Sequence, residues 1–107
     1  MDRIEQLEAF LAEDPDDTFT RFALAQEHLK QDAPERALAY FEDLVATDPG
    51  YVGTYYHLGK LYERMGRTED AIATYEQGIE HARAQKQTKD LSELQDALLQ
   101  AQGVGFD

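Results

Sequence analysis

The chain is 107 residues long, about one domain's worth, with 42% apolar and 30% charged residues. Ten Lys and Arg stand against 22 Asp and Glu, a formal net charge of −12, and a field of that sign makes nucleic acid and membrane surfaces poor partners. The absence of cysteine excludes disulfides, thiolate metal sites and thiol catalysis, and no apolar run reaches the length of a membrane span, so a cytoplasmic location is expected.

In chain order, residues 3–13 carry Ile4, Leu7, Phe10 and Leu11 at helical spacing. Asp16 or Asp17 is placed to cap a second helix running to about Lys30, because a short side-chain oxygen accepts from the free amides of a first turn. After a turn at 31–33, Pro34 opens a third helix, where a first-turn proline loses no hydrogen bond. Ala37, Leu38, Phe41, Leu44 and Val45 form its apolar face as far as about Thr47. Asp48-Pro49-Gly50 stops that helix, and a fourth is expected from about Tyr51 to Met65, with Gly66 supplying a left-handed ending. Thr68 is read as the cap of a fifth helix reaching Ala84 or Gln85, with Glu69 and Asp70 well placed for the helix dipole. Thr88 or Asp90 would cap a sixth, ending near Gln102, with Leu91, Leu94 and Leu98 as its stripe. Residues 103–107 have no periodicity and are expected to form a frayed tail. No stretch alternates as a strand would, so the fold class is all-α with about six helices.

These helices repeat. Asp14-Pro15 and Asp48-Pro49 lie 34 residues apart, and at the same offset Ile4, Leu38 and Ile72 fall in register. So do Leu7 with Phe41 and Tyr75, Leu24 with Leu58, Ala25 with Gly59, and Ala37 with Ala71. Small residues in the last two columns let paired helices approach closely, while the aromatics fill wider gaps.

On these residues the chain resembles the tetratricopeptide repeat family, whose 34-residue unit is a helix-turn-helix. Residues 52–85 carry Tyr55, Leu58, Gly59, Tyr62, Ala71 and Tyr75 at the family's packing positions, with Tyr55 replacing the usual Trp. Residues 18–51 are the weaker copy, since Arg21 and His28 stand where large aromatic residues are usual. The second copy has Gly78 in place of the usual Ala and Arg83 in place of the closing proline, so its second helix is expected to run on. The resemblance implies a helix-pair stack over residues 1–102: a leading helix at 3–13, repeats at about 18–51 and 52–85, and a capping helix at about 88–102.

Candidate chemistry is sparse. The single serine, Ser92, has no histidine near it in sequence, and no glycine-rich turn ends in Lys-Ser or Lys-Thr. His28, His57 and His81 show no paired zinc spacing, and His28 reads as a ring packed between helices. Glu13-Asp14-Pro15-Asp16-Asp17 lacks the glycine and ligand spacing of a calcium loop, so capping is the better account. An enzyme is not expected, nor a cofactor or a metal.

Binding is the function the resemblance implies: in that family the first helices of successive repeats line a concave groove for an extended peptide or a partner's helix. Carried onto this chain, the groove candidates are Phe19, Phe22, Gln26 and Lys30, then Tyr56, His57, Lys60, Glu63 and Arg64. The family's chaperone-tail clamp is disfavoured, because Phe22 and Gln26 replace its Lys and Asn and His57 replaces a further Asn. Rings flanked by Lys30, Lys60 and Arg64 suit a protein or peptide segment with apolar anchors and one or two acidic groups. The competing reading is a self-assembling homodimer joined through the first helix or the leucine helix at 90–101. Acid is uneven: residues 1–50 hold 13 Asp and Glu against four Lys and Arg, residues 51–107 nine against six. With four lysines, six arginines and no asparagine, the composition suits a high-salt cytoplasm.

Overall fold

A computed structural model describes residues 2–103. Six helices follow one another: α1 (Arg3–Glu13), α2 (Thr18–Lys30), α3 (Pro34–Thr47), α4 (Gly53–Arg64), α5 (Thr68–Ala84) and α6 (Thr88–Ala101). There is no strand among the described residues. The contacts divide the chain after Tyr51 into two units. The tail expected at 103–107 falls, beyond Gly103, outside the described residues.

In the first unit α1 packs on α2, and α2 on α3. Asp2 caps α1 by accepting from the Glu5 N–H at 2.8 Å, and Asp17 caps α2 by accepting from the Thr20 N–H at 2.9 Å. The Thr20 hydroxyl also donates to Asp17, which together with the Thr20 amide holds that carboxyl below its usual range. Leu24, Ala25, Ala37 and Phe41, all residues that recur at the 34-residue offset, are completely buried, and so is Leu44. His28 is buried and lies flat on Tyr40 with centroids 5.6 Å apart, so the expected packed ring is present.

Arg21, standing where the family usually carries a large aromatic residue, is also buried. Its guanidinium reaches α3, donating through Nη1 to Asp43 at 2.8 Å and to the Thr47 hydroxyl at 2.7 Å. Nη2 donates to the Asp16 carbonyl at 3.3 Å. An aliphatic stem and a planar fork thus fill the space a ring would occupy, with both terminal nitrogens hydrogen-bonded and the buried Nε left without a partner.

In the second unit α4 packs on α5, and both pack on α6. Tyr55 and Tyr75 are the largest fully buried side chains, and each such ring contributes roughly 1.5–3 kcal/mol by leaving water. The close approach of α4 and α5 depends on two glycines. A Cβ on Gly59 would fall 2.1 Å from Cε1 of Tyr75, and one on Gly78 would fall 2.6 Å from Cβ of Tyr55. The fifth helix does run on to Ala84, as the missing proline suggests, and at 17 residues it is the longest described.

The three turns inside and after the helix pairs share one geometry. Asp32, Gly66 and Lys86 take positive φ of 58°, 78° and 58°. Past each, an amide donates to the carbonyl five residues earlier: Ala33 to His28 at 2.8 Å, Arg67 to Tyr62 at 2.8 Å, Gln87 to Ala82 at 2.9 Å. That bond fixes residues 33, 67 and 87 at the cap position of the next helix. Two sequence expectations are corrected by it: Thr68 and Thr88 are the first residues of α5 and α6 rather than their caps, and neither helix has a side-chain cap bond. The fourth helix also starts at Gly53, two residues later than expected, because the Tyr51 amide is turned back to the Asp48 carbonyl at 3.1 Å.

Candidate functional site

The candidate residues fall into two sets, four on α2 in the first unit and five on α4 in the second. On α2, Phe19 is 65% exposed, among the most exposed large apolar side chains described. Phe22 turns partly inward instead, edge-on to Phe41 with centroids 6.0 Å apart and to Tyr51 with centroids 5.5 Å apart. Gln26 is half-buried. Lys30 is exposed and reaches Glu27, one turn back, at 3.4 Å.

On α4, Tyr56 and His57 are both half-buried, their rings perpendicular with centroids 5.6 Å apart. The Lys60 ammonium lies 5.6 Å from the centre of the Tyr56 ring and 3.8 Å from Glu63. Glu63 in turn accepts a hydrogen bond from the Tyr75 hydroxyl, and burial together with that carboxylate pushes the Tyr75 phenol far above its ordinary range. Glu63 therefore ties the surface lysine to the buried core ring. Arg64 is exposed at the end of α4.

Between α4 and α6 lies an open recess of about 180 Å³, lined by Tyr56 and Lys60 on one side and Glu93, Asp96, Ala97 and Gln100 on the other. Burial lowers the His57 pKa from its ordinary 6.5, while the charge of Glu93 pulls it back up. From the sequence this last helix is expected to be a cap with a leucine stripe, and its residues are not among the site candidates. Their signal was present in the spacing, since residues 93, 96, 97 and 100 share one helix face around a small alanine. It was hidden because α6 stands two residues out of the 34-residue register.

No group of three or more His, Asp or Glu suited to a metal ion occurs among the described residues, and no described helix is long and apolar enough to cross a membrane.

This architecture defines a class, the helix-pair repeat proteins. The sequence matches the tetratricopeptide repeat family over residues 28–95. A crystal structure of a tetratricopeptide repeat domain protein from Salinibacter ruber is 72% identical, covering 82% of this chain and 98% of its own, with a TM-score of 0.80. A solution NMR structure of such a protein from the same organism is 69% identical, covering 88% of this chain and 95% of its own, with a TM-score of 0.81. At 27% identity, a protein from Bordetella parapertussis covers 94% of this chain and 88% of its own, with a TM-score of 0.80. No curated protein gives a significant match to the sequence. The chain belongs to the tetratricopeptide repeat family, whose members generally serve as protein–protein interaction modules.

Proposed function

We propose that this chain is a small adaptor or scaffold that holds a peptide or a partner's helix on its first-helix faces, α2 in one unit and α4 in the other. The observation that carries the reading is Tyr56. Its ring lines an open recess rather than filling the core, beside a lysine and next to a second half-buried ring. A ring held at a surface supplies contact area at low entropic cost, which is what a binding anchor needs. Phe19 on α2 is exposed in the same way. The expectation of acidic groups on the partner rests on Lys30, Lys60 and Arg64. Lys30 and Lys60 already stand beside carboxylates of their own helix, so apolar anchoring supports the reading more strongly than positive charge does.

Affinity capture from native cell extract tests it, with the double variant Tyr56→Ala/Lys60→Ala as control. The variant should lose the captured partner while its helical circular dichroism stays unchanged. Equal capture by both forms removes the α4 face from the account.

Self-assembly is the second reading, and a specific observation favours it. Phe10 on α1 and Leu99 on α6 are 60% and 47% exposed, one on each terminal helix. Light scattering across a concentration series separates the two: a persistent monomer eliminates a constitutive dimer.

A further inference from the structure

The recess between α4 and α6 has a chemistry of its own. Two carboxylates, Glu93 and Asp96, line its α6 side, and neither has an ion-pair partner among the described residues. The cation on the opposite side is already engaged, since Lys60 stands 3.8 Å from Glu63. Counting that pair as neutral, the recess presents two uncompensated negative charges beside an aromatic ring and the amide of Gln100. Its volume of about 180 Å³ is below the roughly 300 Å³ at which small-molecule pockets begin, and suits one long side chain.

We infer that this recess receives an arginine side chain of the bound partner, its stem along Tyr56 and Ala97 and its guanidinium between Glu93 and Asp96. Arginine is favoured over lysine because a planar fork can pair with carboxylates and lie against a ring in one geometry. The proposal rests on the reading of α4 as a partner-binding face and deepens it by giving the partner's anchor a charge. An acidic anchor at this point would face two carboxylates, an arrangement that costs affinity.

Selection from a random peptide display library tests both levels and distinguishes them. Three baits are compared: the unaltered chain, Glu93→Gln/Asp96→Asn, and Glu76→Gln/Glu80→Gln. The last removes the same charge from the exposed face of α5 and controls for long-range attraction. Arginine-bearing peptides should be enriched on the unaltered chain and on the α5 control. A selected peptide should bind the α6 double variant at least tenfold more weakly, and its Arg→Gln analogue should lose a similar factor on the unaltered chain. Peptides without a basic residue whose binding needs Tyr56 but survives the α6 substitutions would overturn this proposal and leave the adaptor reading standing. Arginine peptides weakened equally by the α5 control would also overturn it. No enrichment on any bait would count against both.

Discussion

Replacing Gly78 by alanine sets helix propensity against packing. Alanine is the residue usual at this repeat position, and in a helix interior it is favoured over glycine by about 1 kcal/mol. On propensity alone the substitution should stabilise. The local geometry argues the reverse. The new methyl would lie 2.6 Å from Cβ and 2.9 Å from Cγ of Tyr55, and 3.1 Å from Cδ1 of Leu94. Leu94 can yield by a few tenths of an ångström, but Cβ of Tyr55 is fixed to the backbone of α4, and its ring is 1% exposed with nowhere to go. Relief requires α4 and α5 to separate. Overpacking of this kind costs roughly 1–3 kcal/mol, and contacts this short belong at or above the upper end. Subtracting the propensity gain leaves a net loss of about 2 kcal/mol or more. For a chain of this size a loss of about 2 kcal/mol lowers Tm by roughly 8–16 °C. Thermal and urea unfolding followed by circular dichroism measure it, with Gln77→Ala on the exposed neighbouring position as a control expected within about 0.5 kcal/mol. A Gly78→Ala variant as stable as the unaltered chain, or more so, would refute the close approach of α4 and α5.

Three further outcomes follow from other parts of the molecule. Lys86→Gly should stabilise by about 0.5–1 kcal/mol in urea unfolding, because its φ of 58° favours glycine and its side chain is exposed, and Asp32→Gly should behave similarly. The half-buried His57 resists protonation in the folded state, so the unfolded chain takes up more protons as pH falls below about 6.5 and stability declines through that window. His57→Gln should flatten that part of a stability-versus-pH curve, and an unchanged slope would show that His57 does not contribute to it. With 22 acidic residues against ten basic ones, Tm should rise between dilute buffer and molar potassium chloride as screening relieves self-repulsion. A flat response would remove the high-salt reading of the composition.

The helix pairs were legible because packing constraints recur at a fixed offset. Leu24 with Leu58 and Phe41 with Tyr75 are in register in the sequence, and all four are buried. Turn geometry was half legible. Gly66 announces its left-handed conformation, whereas Asp32 and Lys86 adopt the same one without the residue that signals it; the caps expected at Thr68 and Thr88 fall late because the turn bonds set residues 67 and 87 at the cap position. Arg21 was legible as a departure from the repeat pattern, but its partners Asp43 and Thr47 lie on the next helix and depend on how α2 and α3 pack. The candidate site was read from α2 and α4 alone. Which of its aromatics turn inward, as Phe22 does toward Phe41 and Tyr51, and which line a recess, as Tyr56 does, depends on neighbouring helices that residue spacing does not specify.

The binding role is tested most directly by amide chemical-shift mapping of the isotope-labelled chain as a captured partner segment is added. Shifts concentrated on the first-helix faces, at Phe19 and Gln26 on α2 and at Tyr56, His57 and Lys60 on α4, are the result expected. Shifts confined to the surroundings of Phe10 on α1 and Leu99 on α6, with the α2 and α4 faces unmoved, would contradict it.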